Sequence, residues 1–260
     1  MEQSENVFSE RGFIMDKEFT EQTLVLIKPD ALKNSLTGYV LSQLSEFHTG
    51  LRFSGAKIVH VSRMLAEEHY AEHRGKAFFP ALIEFIMGRS HYPDDPWKRR
   101  IIALVFQGKD AVQKIRDISG PTNPYVAREQ RPGCIRALGA IVPVKDAAGN
   151  VIGDRMDNLI HASATVSEAE REITLWFKPN DIPPLMRIFP TEVSSEHYYF
   201  KDKKLYTNYE AGSSCLVAPG DVVWKTDLDA LSLLQQGKPA PCSIEAVAVK
   251  YLINNIPEYD

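Results

Sequence analysis

Long hydrophobic runs are missing from this sequence: Ile101-Ile102-Ala103-Leu104-Val105-Phe106 falls far short of the roughly 20 residues that cross a bilayer as a helix, so no membrane anchor is expected. The start, Met1-Glu2-Gln3-Ser4-Glu5, lacks the basic residues and apolar stretch of a secretion signal, and a cytoplasmic location is expected. Cysteine is scarce. Cys134, Cys215 and Cys242 are an odd number without metal-type spacing, which argues against a disulfide framework or a zinc module. Positive charge is not in excess either. With 30 Lys and Arg against 34 Asp and Glu, the net charge of -4 gives no general attraction to a polyanion, so nucleic-acid binding is disfavoured and any phosphate site must be local. Walker-type glycine loops, dinucleotide fingerprints and protein-kinase signatures are also absent, and a nucleotide site would have to be built in another way. What is present is ordinary for a globular protein: 260 residues, 44% hydrophobic and 25% charged, enough for one or two domains with a substantial core.

Thr23-Leu24-Val25-Leu26-Ile27 reads as a buried strand ending at Lys28-Pro29-Asp30. Thr37 is a candidate cap for a helix whose apolar face is Val40, Leu41, Leu44 and Phe47, and Gly50 breaks the pattern. Strands are predicted over 53–62 and 101–106, and helices over 67–73, 79–87 and 109–117. The segment 119–136 carries Gly120, Pro121, Pro124, Pro132 and Gly133, a density that predicts irregular structure for much of a long loop, often a functional one. Two apolar stretches around the turn-prone 146–150 predict a protruding hairpin. A short strand then ends at His161, and Thr165-Val166-Ser167-Glu168 opens a helix buried through Ala169, Ile173, Trp176 and Phe177. This order predicts an α+β, ferredoxin-like (βαββαβ) antiparallel sheet with helices on one side. Beyond residue 179 the many prolines and tyrosines suggest an extended segment anchored on something else. Residues 227–235 and 243–255 suit short helices or strands equally.

Most of the seven histidines lie in charged or amphipathic surroundings, where a surface or boundary imidazole is the commoner reading: His48, His60, His69, His73, His91 and His197. His161 differs. It ends an apolar strand before the small residues Ala162-Ser163-Ala164, and Glu172 on the following helix can fold back to one ring nitrogen, leaving the other free to attack phosphorus. On the residues alone, a satisfied boundary histidine stays the commoner reading. Phosphoryl transfer also needs positive and hydroxyl groups around the moving oxygens, and Lys28, Arg116, Thr122 and Arg136 are candidates. Each alone has a bland reading as a surface charge or helix-end residue.

Taken together, the motifs resemble the nucleoside diphosphate kinase family from about Thr23 to Pro179. They are Lys28-Pro29-Asp30, Glu68-His69-Tyr70, Phe78-Phe79-Pro80, Thr122-Asn123-Pro124, the Asn-x-x-His-x-Ser pattern at Asn158 to Ser163, and the run from Ser167 to Phe177. The resemblance implies that His161 takes the γ-phosphate of a nucleoside triphosphate and passes it to a diphosphate in ping-pong fashion. It implies that Lys28, Arg116, Thr122 and Arg136 hold phosphate oxygens, that Tyr70 helps orient Lys28 and the histidine, and that Asn158 contacts the sugar hydroxyl. Phe78 would stack on the base, Glu172 would hold His161, and Ser163 would bond Glu172. ATP and other nucleoside di- and triphosphates are the implied partners, Mg2+ the implied cofactor carried by their phosphates rather than by a protein metal site, and a homo-oligomer the implied assembly.

The resemblance also divides the chain into a flexible segment 1–20, a kinase-like domain 21–179 with insertions near 89–100 and 143–153, and a C-terminal extension 180–260 of unknown role. Ala162-Ser163-Ala164 stands where the family usually has Gly-Ser-Asp, which removes a carboxylate near the site. That change and the long tail motivate an alternative, a nucleotide-binding or scaffolding member with weak turnover.

Overall fold

Strand β1 (Glu21–Ile27) is apolar at consecutive positions rather than alternate ones, the pattern of a strand covered on both faces. In the computed structural model, which describes residues 20–145 and 147–253, Gln22 to Ile27 are all buried. The expected N-terminal segment lies outside the described residues, apart from Thr20. From β1 the chain runs through helices α1 (Pro29–Lys33), α2 (Thr37–Gln43) and α3 (Glu46–Thr49) to β2 (Arg52–Val59). It continues through α4 (Arg63–His69) and α5 (Phe79–Ile86) to β3 (Ile101–Gly108), then α6 (Ala111–Ser119) and α7 (Pro124–Gln130). A hairpin of β4 (Ala140–Lys145) and β5 (Val151–Asp157) follows, then β6 (Ile160–Ala162) and α8 (Val166–Trp176). The main sheet has the order β2-β3-β1-β6 with every neighbouring pair antiparallel, the expected ferredoxin-like plan.

Helices cover both faces of this sheet, not one. Leu24 and Leu26 pack with Leu65 of α4, Ile83 of α5 and Trp176 of α8, whereas Val25 and Ile27 pack with Val40 of α2 and Ile115 of α6. Successive side chains of a strand point to opposite faces, so a strand without polar alternation needs a layer on each side.

Three local details differ from the sequence expectation. Thr37 is the first residue inside α2, and the cap position is Leu36, which makes no side-chain cap bond. Ser45 starts α3 by accepting the His48 N–H, and the reorientation leaves Phe47 95% exposed instead of extending the buried stripe. Within the Gly- and Pro-rich segment α7 forms because Pro124 occupies the first helical turn, where its missing N–H costs nothing, and Asn123 Oδ1 accepts the N–H groups of Tyr125 and Val126. The predicted hairpin is present. Its base is tied to the segment 89–100: His91 Nε2 lies 3.0 Å from Asp157 Oδ1, and Arg155 Nη1 donates to the Ser90 carbonyl at 3.0 Å. His91 is therefore a buried structural residue rather than a surface one.

The tail contains β7 (Thr191–Val193), β8 (Tyr198–Lys201), β9 (Lys204–Tyr206), β10 (Ser214–Val217), β11 (Val222–Trp224), α9 (Lys225–Gln235) and α10 (Ile244–Leu252). Both undecided stretches are helical within the described residues. This is more than an extended path, because Tyr198, Leu216, Val223, Leu231 and Val247 form an apolar cluster of their own. Lys250 Nζ joins α10 to α9 through both oxygens of buried Asp227, at 2.9 and 2.8 Å. Trp224 and Val249 belong to the core beneath α4 and α8, and Trp224 Nε1–H donates to the Phe177 carbonyl at 2.6 Å. The tail thus seals the helical layer that carries Glu172.

Candidate active site

Backbone pairing brings the site together first. β6 lies beside the end of β1 with Leu26 opposite His161 and Ile27 opposite Ile160, and the Lys28 N–H donates to the Leu159 carbonyl at 2.9 Å. Leu159 takes a left-handed conformation, φ +71°, which costs a residue with a Cβ about 1–2 kcal/mol. Asp30 holds it there: its Oδ2 accepts the Leu159 N–H at 2.7 Å, and the carboxylate is fully buried. This kink turns the chain between Asn158 and His161. Asp30 has no assigned role in the sequence reading, although its place in Lys-Pro-Asp was a signal.

The His161 side chain is 19% exposed, and its Nε2 lies 3.0 Å from each carboxylate oxygen of Glu172. Glu172 is buried on the inner face of α8. Ser163 Oγ donates to Glu172 Oε2 at 2.6 Å and accepts the Leu24 N–H at 3.2 Å, so the expected Ser163–Glu172 bond is present. Burial alone would raise the Glu172 carboxyl pKa, but the charge and hydrogen bond of His161, with His69 and Ser163, outweigh it and hold the group at about 2. A carboxylate accepts only, so Nε2 is the donor, and in the neutral form of the ring the lone pair lies on Nδ1.

Two of the cationic candidates, Lys28 and Arg136, are held by the residues that lead into His161. Lys28 Nζ donates to Asn158 Oδ1 and stands 4.6 Å from the centre of the Phe85 ring. Its pKa is lowered by burial, with Asp30 opposing and Arg136 assisting. Arg136 donates from Nη1 to the Gly120 carbonyl at 2.8 Å and from Nη2 to the Ile160 carbonyl at 3.3 Å. Burial, then the Arg116 charge, lowers its pKa to about 10, which leaves it cationic at neutral pH. Arg116 itself is exposed in the last turn of α6. Asn158 Nδ2 donates to the Thr122 carbonyl at 2.9 Å, which fixes the loop that carries the Thr122 hydroxyl. Gly120 has φ +79°, and a Cβ there would lie 2.2 Å from Cys134 Sγ, so this loop closes only on glycine.

Aromatic rings connect the surface to His161. Phe78, 53% exposed, sits 5.5 Å from His73; His73 stacks on Tyr70 at 6.0 Å; Tyr70 meets His69 at 4.5 Å and His69 meets His161 at 4.6 Å, all between ring centres. The Tyr70 hydroxyl pKa is raised by burial, then by the charges of Glu172 and Asp30, so it remains a neutral donor. His69, expected at a surface or boundary, is 2% exposed. The ligand atoms of His69, His161 and Glu172 lie within 4.8 Å of one another. Two nitrogens and one carboxylate already engaged in hydrogen bonds do not suit Mg2+, which takes an octahedron of oxygens.

A partly exposed imidazole with a buried carboxylate behind it and two buried cations held by the adjoining residues Asn158 and Ile160 fits a phosphotransferase. Comparison with known proteins gives the family. The sequence model of nucleoside diphosphate kinase matches residues 21–182, and the chain belongs to the nucleoside diphosphate kinase family. It is 40% identical over 162 residues to the nucleoside diphosphate kinase of Pyrococcus furiosus, covering 62% of this chain and 86% of that protein. It is 35% identical over 162 residues to the enzyme of Thermus thermophilus, covering 62% and 98%. The crystal structure of the Aquifex aeolicus nucleoside diphosphate kinase superposes with a TM-score of 0.51 at 30% identity, covering 63% of this chain and 99% of that one. The remainder of this chain therefore has no counterpart in that structure. No helix among the described residues is long and apolar enough to cross a membrane.

Proposed function

We propose that the chain equilibrates nucleoside tri- and diphosphates by a ping-pong reaction in which His161 carries the phosphoryl group. The observation that carries this reading is the contact of His161 Nε2 with both Glu172 oxygens at 3.0 Å, which leaves Nδ1 as the nucleophile. The Nδ1 lone pair attacks the γ-phosphorus, the bond from phosphorus to the β–γ bridging oxygen breaks, and the diphosphate leaves. Glu172 offsets the positive charge that develops on the ring. A terminal oxygen of a second diphosphate then attacks the phosphorus, the N–P bond breaks, and its electron pair returns to Nδ1. Lys28, Arg116, Arg136 and the Thr122 hydroxyl are assigned to the phosphate oxygens, where fixed cations favour the charge spread of the transition state. Asn158 is assigned to the sugar, and Tyr70 to the orientation of Lys28 and His161. Mg2+ is assigned to the nucleotide phosphates as part of the substrate, where it neutralises charge.

Incubation with ATP and magnesium is expected to leave an acid-labile phosphate on His161 Nδ1, detected by mass spectrometry and assigned by 31P and 15N NMR. Nucleotide binding with no phosphoenzyme would instead favour a scaffolding role. Phe78 is assigned to the base as a stacking platform, since every base offers an aromatic face. Phe78→Ala is expected to raise KM for ATP and GTP alike, on the order of 10-fold given about 1–3 kcal/mol per stacked base, with kcat much less affected. A rise for one base alone would remove Phe78 from this role. Self-association belongs to the same proposal, supported by the exposed Phe47 of α3 and the 59% exposed Ile58 on outer strand β2.

A further inference from the structure

We propose that His69 is a positioning residue for phosphoryl transfer: it fixes the rotation of the His161 ring so that Nδ1 meets the γ-phosphorus in line. The proposal rests on His161 being the phosphoryl carrier. His69 ends α4 and is buried, and its ring stands at 79° to that of His161 with centres 4.6 Å apart. A hydrogen bond at Nε2 alone leaves an imidazole able to rock about its Cβ–Cγ bond, whereas a perpendicular neighbour in van der Waals contact removes that freedom. His69 is itself held. Trp176 Nε1–H, from α8, donates to His69 Nδ1 at 3.2 Å, and the two rings meet at 87° with centres 5.5 Å apart. One helix therefore supplies both restraints on the nucleophile, Glu172 at its ring nitrogen and Trp176 through His69.

The Trp176 bond also fixes the tautomer. Nδ1 of His69 is the acceptor, so its proton sits on Nε2, a buried atom with no hydrogen-bond partner among the described residues. Burial, then the charge of His161, holds its pKa at about 3, so the ring is neutral at working pH and does not draw Glu172 away from His161. Packing alone does not explain a histidine here, because an apolar ring would fill the volume without burying an unpaired donor. Only a ring that also accepts the indole N–H satisfies both neighbours.

Two full-length variants separate positioning from stability. His69→Asn keeps an acceptor near the place of Nδ1 and so retains the Trp176 bond, but it removes the ring against His161. His69→Phe keeps a ring and leaves the indole N–H unpaired. The expected thermal stability order is wild type, then Asn, then Phe, whereas the expected kcat order for ATP to GDP transfer is wild type, then Phe, then Asn. The Asn variant should lose on the order of 10- to 100-fold in kcat, the scale of a misplaced reacting group, with KM for ATP within about twofold. Its phosphoenzyme should carry phosphate on both Nδ1 and Nε2 of His161. If kcat follows stability across the two variants, or the Asn variant keeps wild-type kcat with all phosphate on Nδ1, the positioning role is overturned. A wild-type protein that takes no phosphate on His161 overturns the carrier reading together with it, which distinguishes the two failures.

Discussion

Replacing His161 with alanine is expected to abolish ATP to GDP transfer, by about 10⁴-fold or more in kcat, the scale on which enzymes lose activity when their covalent nucleophile is removed. The fall should be confined to chemistry. Lys28 and Arg136 are positioned by Asn158, Gly120 and Ile160, none of which depends on the imidazole, so calorimetric ATP affinity should stay within a few-fold. Some stability should also be lost, because Glu172 remains buried with Ser163 as its main donor. The sign follows from the carboxyl: a group depressed to about 2 in the fold stabilises above its unfolded pKa of about 4.3, and the contribution disappears as pH falls through 2. Without His161 the upward push of burial dominates and that contribution shrinks. Coupled-enzyme turnover that persists in His161→Ala would place the nucleophile elsewhere.

How much of this site the sequence discloses depends on chain separation. Asn158, His161, Ser163 and Glu172 lie in or beside one strand and the helix after it, so their mutual geometry is nearly local. Lys28 and the loop residues Thr122 and Arg136 were recognisable by chemical type, yet only the β1–β6 pairing brings Lys28 to Asn158, 130 residues away. His69 was not legible, because its burial depends on Trp176, 107 residues later, and a histidine at the end of an amphipathic helix looks like any boundary residue. Asp30 is similar: its partner is a backbone N–H, 129 residues away, that no side-chain pattern marks. The two helical layers were implicit in the unbroken apolar run of β1, but periodicity reports burial without saying what covers it. The tail has strands of three or four residues, too short for alternation to register, so its fold becomes visible only with its partners.

Trp224→Ala is the second large effect expected. The indole is 1% exposed, lies in the same core as Leu65 and Trp176, and donates to the Phe177 carbonyl at the point where α8 ends. Truncating a buried Trp typically costs about 3–5 kcal/mol, from lost burial and the cavity left behind. For a protein of this size each kcal/mol shifts Tm by about 2–4 °C, so a fall of roughly 6–20 °C is expected by calorimetry. The melting of the helical layer under Trp224 should fall with it, because α10 of the tail rests on α4 and α8, the helices that carry His69 and Glu172. A tail that only decorated the kinase unit would melt separately and leave the larger transition in place. A Tm within about 2 °C of wild type, a shift worth no more than about 1 kcal/mol, would mean that the indole contributes little and that residues 180–260 do not seal this core.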